Sequence, residues 1–150
     1  MEISDGATLS PVIELWLAVR ETDCLAARLE RTSDKELERL SHYVTEPAAE
    51  RLAKTHPGVA AKAFRAVCMR VVNEGKSKYY SDALSNLGKA KACYERAGLP
   101  AQWEALVAEI RRDHRRKSGF MPGFERIVAG AGAPRKPSFE EWTRTTLNRN

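Results

Sequence analysis

The chain has 150 residues, 43% of them hydrophobic and 7% aromatic, with 25 Lys and Arg against 20 Asp and Glu. This composition suits one domain, residues 1–128 with a tail beyond, and no apolar run reaches the roughly 18 to 20 residues that span a membrane. The acidic opening Met1-Glu2-Ile3-Ser4-Asp5 lacks the basic start and apolar stretch of a secretory leader, so the expected compartment is the cytoplasm.

Helical spacing runs through the chain, and no period-two alternation lasts long enough for a strand. Ser10-Pro11 reads as a cap with proline at the first helical position, followed by Val12, Ile13, Trp16, Leu17 and Val19 as the apolar side. A second helix is predicted over Asp23 to Arg31. Ser33-Asp34-Lys35-Glu36 is a capping box that opens a third, with Leu37 and Leu40 inward and an end near Tyr43. Pro47 is expected in the first turn of a helix from Ala48 to Lys54, before Thr55-His56-Pro57-Gly58 breaks the chain.

The second half is marked more sharply. Val59, Ala60, Ala63, Phe64, Val67, Cys68, Val71 and Val72 make a helix apolar around more than half its circumference, the pattern of a helix covered on several sides. Gly75 ends it. Tyr80, Ala83, Leu84, Leu87, Ala90 and Tyr94 form the inward stripe of the next helix, which closes at Gly98, and Pro100 opens another with Trp103, Leu106, Val107 and Ile110 on one face. The very short turn between these two predicts antiparallel neighbours, and so a compact bundle or a helical-repeat stack. Ala90, Tyr94 and Ala97 before Pro100 are similar to the second helix and exit of a tetratricopeptide repeat, although no second copy stands at a 34-residue period. Phe124, Ile127 and Val128 are expected to seal the open end. Residues 129–136 read as a flexible linker, and Ser138-Phe139-Glu140-Glu141 as the start of a short terminal helix carrying Trp142.

Charge is unevenly placed. Residues 1–50 carry eleven acidic and five basic groups, a net of −6, whereas residues 51–150 carry nine acidic and twenty basic groups, a net of +11. Such a field steers an anionic partner toward the second half. The densest run is Arg111-Arg112-Asp113-His114-Arg115-Arg116-Lys117. At 100° per residue, Arg111, Arg112, Arg115 and Arg116 fall opposite the apolar stripe, available to a partner or simply favouring the negative end of the helix dipole. If the helices from Tyr80 and Pro100 are antiparallel, Lys76, Lys78, Arg115, Arg116 and Lys117 converge around the free amides at the start of the Tyr80 helix, where an anion is favoured. Tyr79 there either packs or stacks on a base.

Catalytic signals are weak. Gly75-Lys76-Ser77 resembles the end of a phosphate-binding loop, but Arg70 holds the position where that loop needs glycine. His42, His56 and His114 have no second His or Cys at helical ligand spacing, so no metal site is expected, and His114 is placed at the edge of the core. Cys24, Cys68 and Cys93 are odd in number and widely spaced, and are expected to be buried small apolar residues. No catalytic residue and no cofactor is expected.

Five segments carry a likeness to a known kind of domain. They are Leu40-Ser41-His42-Tyr43-Val44-Thr45-Glu46-Pro47-Ala48-Ala49, Gly75-Lys76-Ser77-Lys78-Tyr79-Tyr80, Ala83-Leu84-Ser85-Asn86-Leu87, Trp103-Glu104-Ala105-Leu106, and His114-Arg115-Arg116-Lys117-Ser118-Gly119-Phe120-Met121-Pro122-Gly123-Phe124. Through them the chain resembles an uncharacterised bacterial helical-repeat domain found after SWIM-type zinc fingers. The resemblance implies an α-solenoid fold and no assigned activity. The finger's Cys-x-Cys and Cys-x-His pairs are missing, so its zinc and its DNA contact are not implied; the chain stands alone or a partner supplies the finger. The expectation is therefore an all-α module of antiparallel helical hairpins that binds another protein without catalysis. The alternative is a nucleic-acid module that uses the basic helix end, through Lys76, Lys78, Tyr79, Arg111, Arg112, Arg115, Arg116 and Lys117.

Overall fold

The helix that the sequence marks as apolar on several sides is the axis of the structure. A computed structural model describes residues 6–19 and 21–130. In chain order it contains α1 (Gly6–Val19), α2 (Thr22–Arg31), α3 (Asp34–Arg39), α4 (His42–Leu52), α5 (Pro57–Glu74), α6 (Tyr80–Ala97), α7 (Pro100–His114) and α8 (Met121–Val128), with a 3-10 turn, Ser77–Tyr79, leading into α6. No strand occurs among the described residues. The fold is all-α, as expected.

The α5–α6 hairpin packs most closely because both faces are built from small residues. Ala60, Ala63, Ala66 and Cys68 on α5 and Ala83, Ala90 and Cys93 on α6 are buried, so the backbones approach without bulky side chains between them. Gly75 (φ 69°) and Gly98 (φ 70°) take the left-handed conformation that ends each helix. The start of α5 lies beside the end of α6, where Gly58 neighbours Ala97 and Leu99, so the pair is antiparallel. Helix α7 reverses again: Gly119, just beyond it, abuts the Tyr80 ring at the start of α6, and the Phe120 ring meets Tyr80 edge-on with centroids 5.5 Å apart.

Helix α8 then closes this end. Phe120, Phe124 and Ile127 are buried, the two Phe rings stack at 6.0 Å, and a Cβ on Gly123 would come within 2.4 Å of Leu84. Glycine is thus what allows α8 to sit so near α6. Phe124 and Ile127 thus seal this end of the stack, whereas Val128 is only partly buried. The linker and terminal helix expected beyond it, with Trp142, lie outside the described residues.

The first half departs from expectation in three places. Helix α1 begins at Gly6, so Pro11 lies inside it and not at its first position. The proline ring removes one backbone donor, while Leu9 and Ile13 on either side are fully buried and hold the segment in place. The helix expected to run to Tyr43 stops at Arg39. A new helix starts at His42, capped by Ser41, whose hydroxyl accepts from the Tyr43 amide at 3.2 Å, and Pro47 is again internal. Cys24 is exposed, and only Cys68 and Cys93 are buried.

Short helices cannot satisfy their own last carbonyls, and here the frame does it for them. From α5, Lys62 donates to the Glu30 (3.0 Å) and Thr32 carbonyls at the end of α2, and Arg70 to the Arg39 (3.0 Å) and Leu40 carbonyls at the end of α3. From α6, Arg96 donates to the Lys54 carbonyl just past α4 (3.2 Å), and Lys91 to the Ile127 carbonyl of α8 (2.8 Å). Lys62→Met keeps the aliphatic stem and removes the charge. It is expected to lower stability by about 1–2 kcal/mol, the scale of a lost charge-assisted bond at a helix end, measured by urea unfolding against a Lys54→Met control.

Candidate functional site

Two charged regions stand out, one legible in the sequence and one not. At the basic pole the two helix ends do meet: the Lys117 ammonium lies 3.7 Å from where a Cβ on Gly75 would sit. Arg112 to Lys117 surround a depression of about 410 Å³. The structure does not leave all eight named residues free. Arg111 grips Glu125 of α8 at 2.8 and 3.0 Å, Arg112 pairs with Asp113 at 2.9 Å, and Lys76 pairs with Glu74 at 3.2 Å. Lys78 lies over the half-exposed Tyr79 ring, 5.0 Å from its centroid. Arg115 and Arg116 are exposed and Lys117 partly buried, and none has an acidic partner among the described residues.

The amides expected to be open at the start of α6 are partly used. The 3-10 turn engages Tyr79 N–H with the Lys76 carbonyl and Tyr80 N–H with the Ser77 carbonyl, which weakens the case for an anion cradle built on that terminus. His114, expected at the edge of the core, is 8% exposed, and its Nδ1 has no partner among the described residues. Burial, followed by the nearby Lys117 charge, lowers its pKa below the ordinary histidine value, which favours the neutral ring.

The second region is a cleft of about 850 Å³ over α5, walled by α2 and α3 on one side and by α6 and α7 on the other. At its centre is Arg65, whose side chain is 13% exposed. One end of the guanidinium meets Glu38 at 3.3 Å, with Asp34 at 3.8 Å, and the other end meets both oxygens of Glu109 at 3.2 Å. Helical spacing places Asp34 and Glu38, four residues apart, on one side of α3, while Glu109 comes from α7. Glu38 also accepts from Asn73 at 3.0 Å.

Three carboxylates around one cation leave their mark on titration. Burial raises the Glu38 pKa above the ordinary carboxylate value, Arg65 only partly offsets this, and Asp34 and Glu109 push it further up. Burial pulls Arg65 down, but the three acids outweigh it and its pKa stands above the usual guanidinium value. Tyr94, which lines the cleft, is raised chiefly by burial. Val59, Leu99, Ala105 and Leu106 supply the apolar lining.

The cleft is not visible in the sequence because its residues are 27 and 44 positions apart along the chain. The available signal is Arg65 itself. A charged residue inside a helix covered on several sides has to be paired, either with acids of neighbouring helices or with their free carbonyls.

Elsewhere, His56 Nε2 stands 3.1 Å from Asp23, and its Nδ1 lies 2.9 Å from the Thr55 hydroxyl. Asp23 is 92% exposed, so nothing excludes water as activation of a hydroxyl requires, and the chain of contacts ties α2 to the start of α5. The Cys68 thiol is pushed up to about 12 by burial, far from a reactive thiolate. Among the described residues, no group of three or more His, Cys, Asp or Glu is placed to hold a metal, and no helix is long and apolar enough to cross a membrane.

These features define an all-helical protein whose central helix carries an ion-bridged cleft. The chain belongs to a family of unknown function, DUF6880, whose model matches residues 14–122, from α1 into the first turn of α8. No curated protein and no solved structure matches it.

Removing Arg65 should expose the crowding. Because burial raises Glu38, the folded chain binds a proton there more tightly than the unfolded chain, so Glu38 subtracts stability above the ordinary carboxylate range and returns it as pH falls. Without Arg65 this effect grows. Arg65→Met is expected to lose roughly 2–3 kcal/mol at neutral pH, below the roughly 3–5 kcal/mol of a fully buried pair because Asp34 and Glu109 are partly exposed. It is also expected to regain part of that loss as pH falls toward the carboxylate range, where the unaltered chain gains less. Urea titrations at both pH values measure it.

Proposed function

We propose that this chain is a non-catalytic binding module of the cytoplasm, and that it receives a segment of another protein in the cleft over α5. The observation that carries this reading is the state of the groups in the cleft. Its two cations are engaged within the fold, Lys62 by helix-end carbonyls and Arg65 by carboxylates. Ser33 accepts from the Glu36 amide, and neither histidine nor cysteine is part of the lining. What a visitor meets is an open, partly apolar trough between helices, the geometry by which helical modules hold extended or helical segments. The likeness to domains beside SWIM-type fingers belongs to this proposal, with a separate zinc-finger protein as one partner it would allow.

The test is site-specific photo-crosslinking in the native cell. A photoreactive residue at Gln102, in the cleft wall, is expected to capture one segment of a partner protein. The same residue at Ala108, exposed on α7 outside the cleft, is expected to capture little, and equal capture at both positions overturns the reading.

Arg115, Arg116 and Lys117, with no acidic partner among the described residues, favour a second reading as a nucleic-acid module. Under it, log affinity for a DNA or RNA duplex falls linearly with log salt, and replacing Arg115 and Arg116 together by Ala reduces the slope by about two. Absence of binding at low salt removes this reading.

A further inference from the structure

The composition of the cleft says what kind of segment suits it. Glu30, Asp34 and Glu109 line the cleft together with Lys62 and Arg65, and Glu38, outside the lining, also pairs with Arg65, so four carboxylates stand against two cations. Lys62 points at backbone carbonyls, not at any of the acids. Arg65 alone therefore serves three carboxylates, and the Glu30 side chain has no partner among the described residues. This is a local negative field inside a chain whose formal net charge is +5. Screening at physiological salt acts over about 8 Å, so an incoming group responds to the cleft and not to the distant basic pole.

We propose, resting on the protein-binding reading above, that the cleft recognises a basic segment with apolar neighbours. A Lys or Arg head is seated between Asp34 and Glu109, and the adjoining apolar side chains lie on Val59, Leu99 and Leu106. The acids that flank Arg65 have oxygen lone pairs to spare, since one guanidinium offers five N–H donors to three carboxylates with about four acceptor sites each. A second cation therefore adds to the cluster and offsets the repulsion that Asp34 and Glu109 add to the burial of Glu38. The same arrangement rejects an acidic segment, which meets the carboxylates of Glu30, Asp34 and Glu109 at the rim. Discrimination thus comes from repulsion as well as attraction.

The experiment uses the whole chain and two fluorescent synthetic peptides of about twelve residues, one alternating leucine with arginine and the other leucine with glutamate. Fluorescence anisotropy gives affinity, and amide chemical shifts give location. The arginine peptide is expected to bind with shifts centred on Val59, Leu99 and Gln102, although the net charge of the chain opposes it. Glu109→Gln and, separately, Asp34→Asn are each expected to weaken it by about tenfold, while the Arg115→Ala and Arg116→Ala pair leaves it unchanged or slightly tighter. Two independent rim variants guard against one of them disturbing the fold, which circular dichroism checks. The proposal is overturned if the glutamate peptide binds equally well, if the shifts lie outside the cleft, or if neither rim variant weakens binding. Crosslinking at Gln102 keeps the two readings distinct: capture of a partner segment together with no affinity for the arginine peptide sinks the charge preference alone, whereas failure of both sinks the cleft as a binding site.

Discussion

A helix of six to eleven residues is not stable by itself in water, and four of the helices here are that short. The fold depends on giving the last carbonyls of these helices a partner. Lys62 and Arg70 from α5 reach the ends of α2 and α3, and Lys91 and Arg96 from α6 reach the ends of α8 and α4. Positive side chains at the negative end of a helix dipole are favourable in two ways, through the hydrogen bond and through the field. The α5–α6 hairpin thus acts as a rack from which the short helices hang. The apolar faces that those helices bury, Leu25 and Leu29 on α2 or Leu37 on α3, fix which side faces the rack.

Much of that rack is legible in the sequence. Every residue of the Tyr80, Ala83, Leu84, Leu87, Ala90, Tyr94 stripe is buried, and both terminating glycines take the left-handed conformation. Long amphipathic helices ended by glycine leave little room for another reading, since period and stop signal agree. The first half is less readable because two signals compete. Proline suits a first turn, so Pro11 and Pro47 each suggest the opening of a helix. Yet both sit inside helices with only one backbone bond removed, and burial of neighbours such as Ile13, Ala48 and Ala49 outweighs that loss. The Ser41 cap, a local and unambiguous bond in the structure, lies within a stretch whose apolar spacing continues that of the preceding helix.

The two charged regions illustrate different limits. The basic pole can be placed from helix direction alone, because the short turn after Gly98 sets α7 antiparallel to α6. Which of its cations are free cannot, since Arg111 pairs with Glu125 of α8, to which no helical spacing in the sequence connects it. The cleft is the reverse case. Each of its acids looks like an ordinary surface residue in its own helix, and only the packing of α3 and α7 on opposite sides of Arg65 makes them a site.

That separation along the chain bears on when the cleft comes into being. The bonds from Arg65 to Glu38 and to Glu109 close loops of 27 and 44 residues, and they join three helices, α3, α5 and α7, instead of one hairpin. Closing longer loops costs more chain entropy and slows the contacts that depend on it. The trough therefore exists only once α3, α5 and α7 have packed together, and a nascent or partly unfolded chain would present its acids scattered, without the pocket that gives them joint meaning.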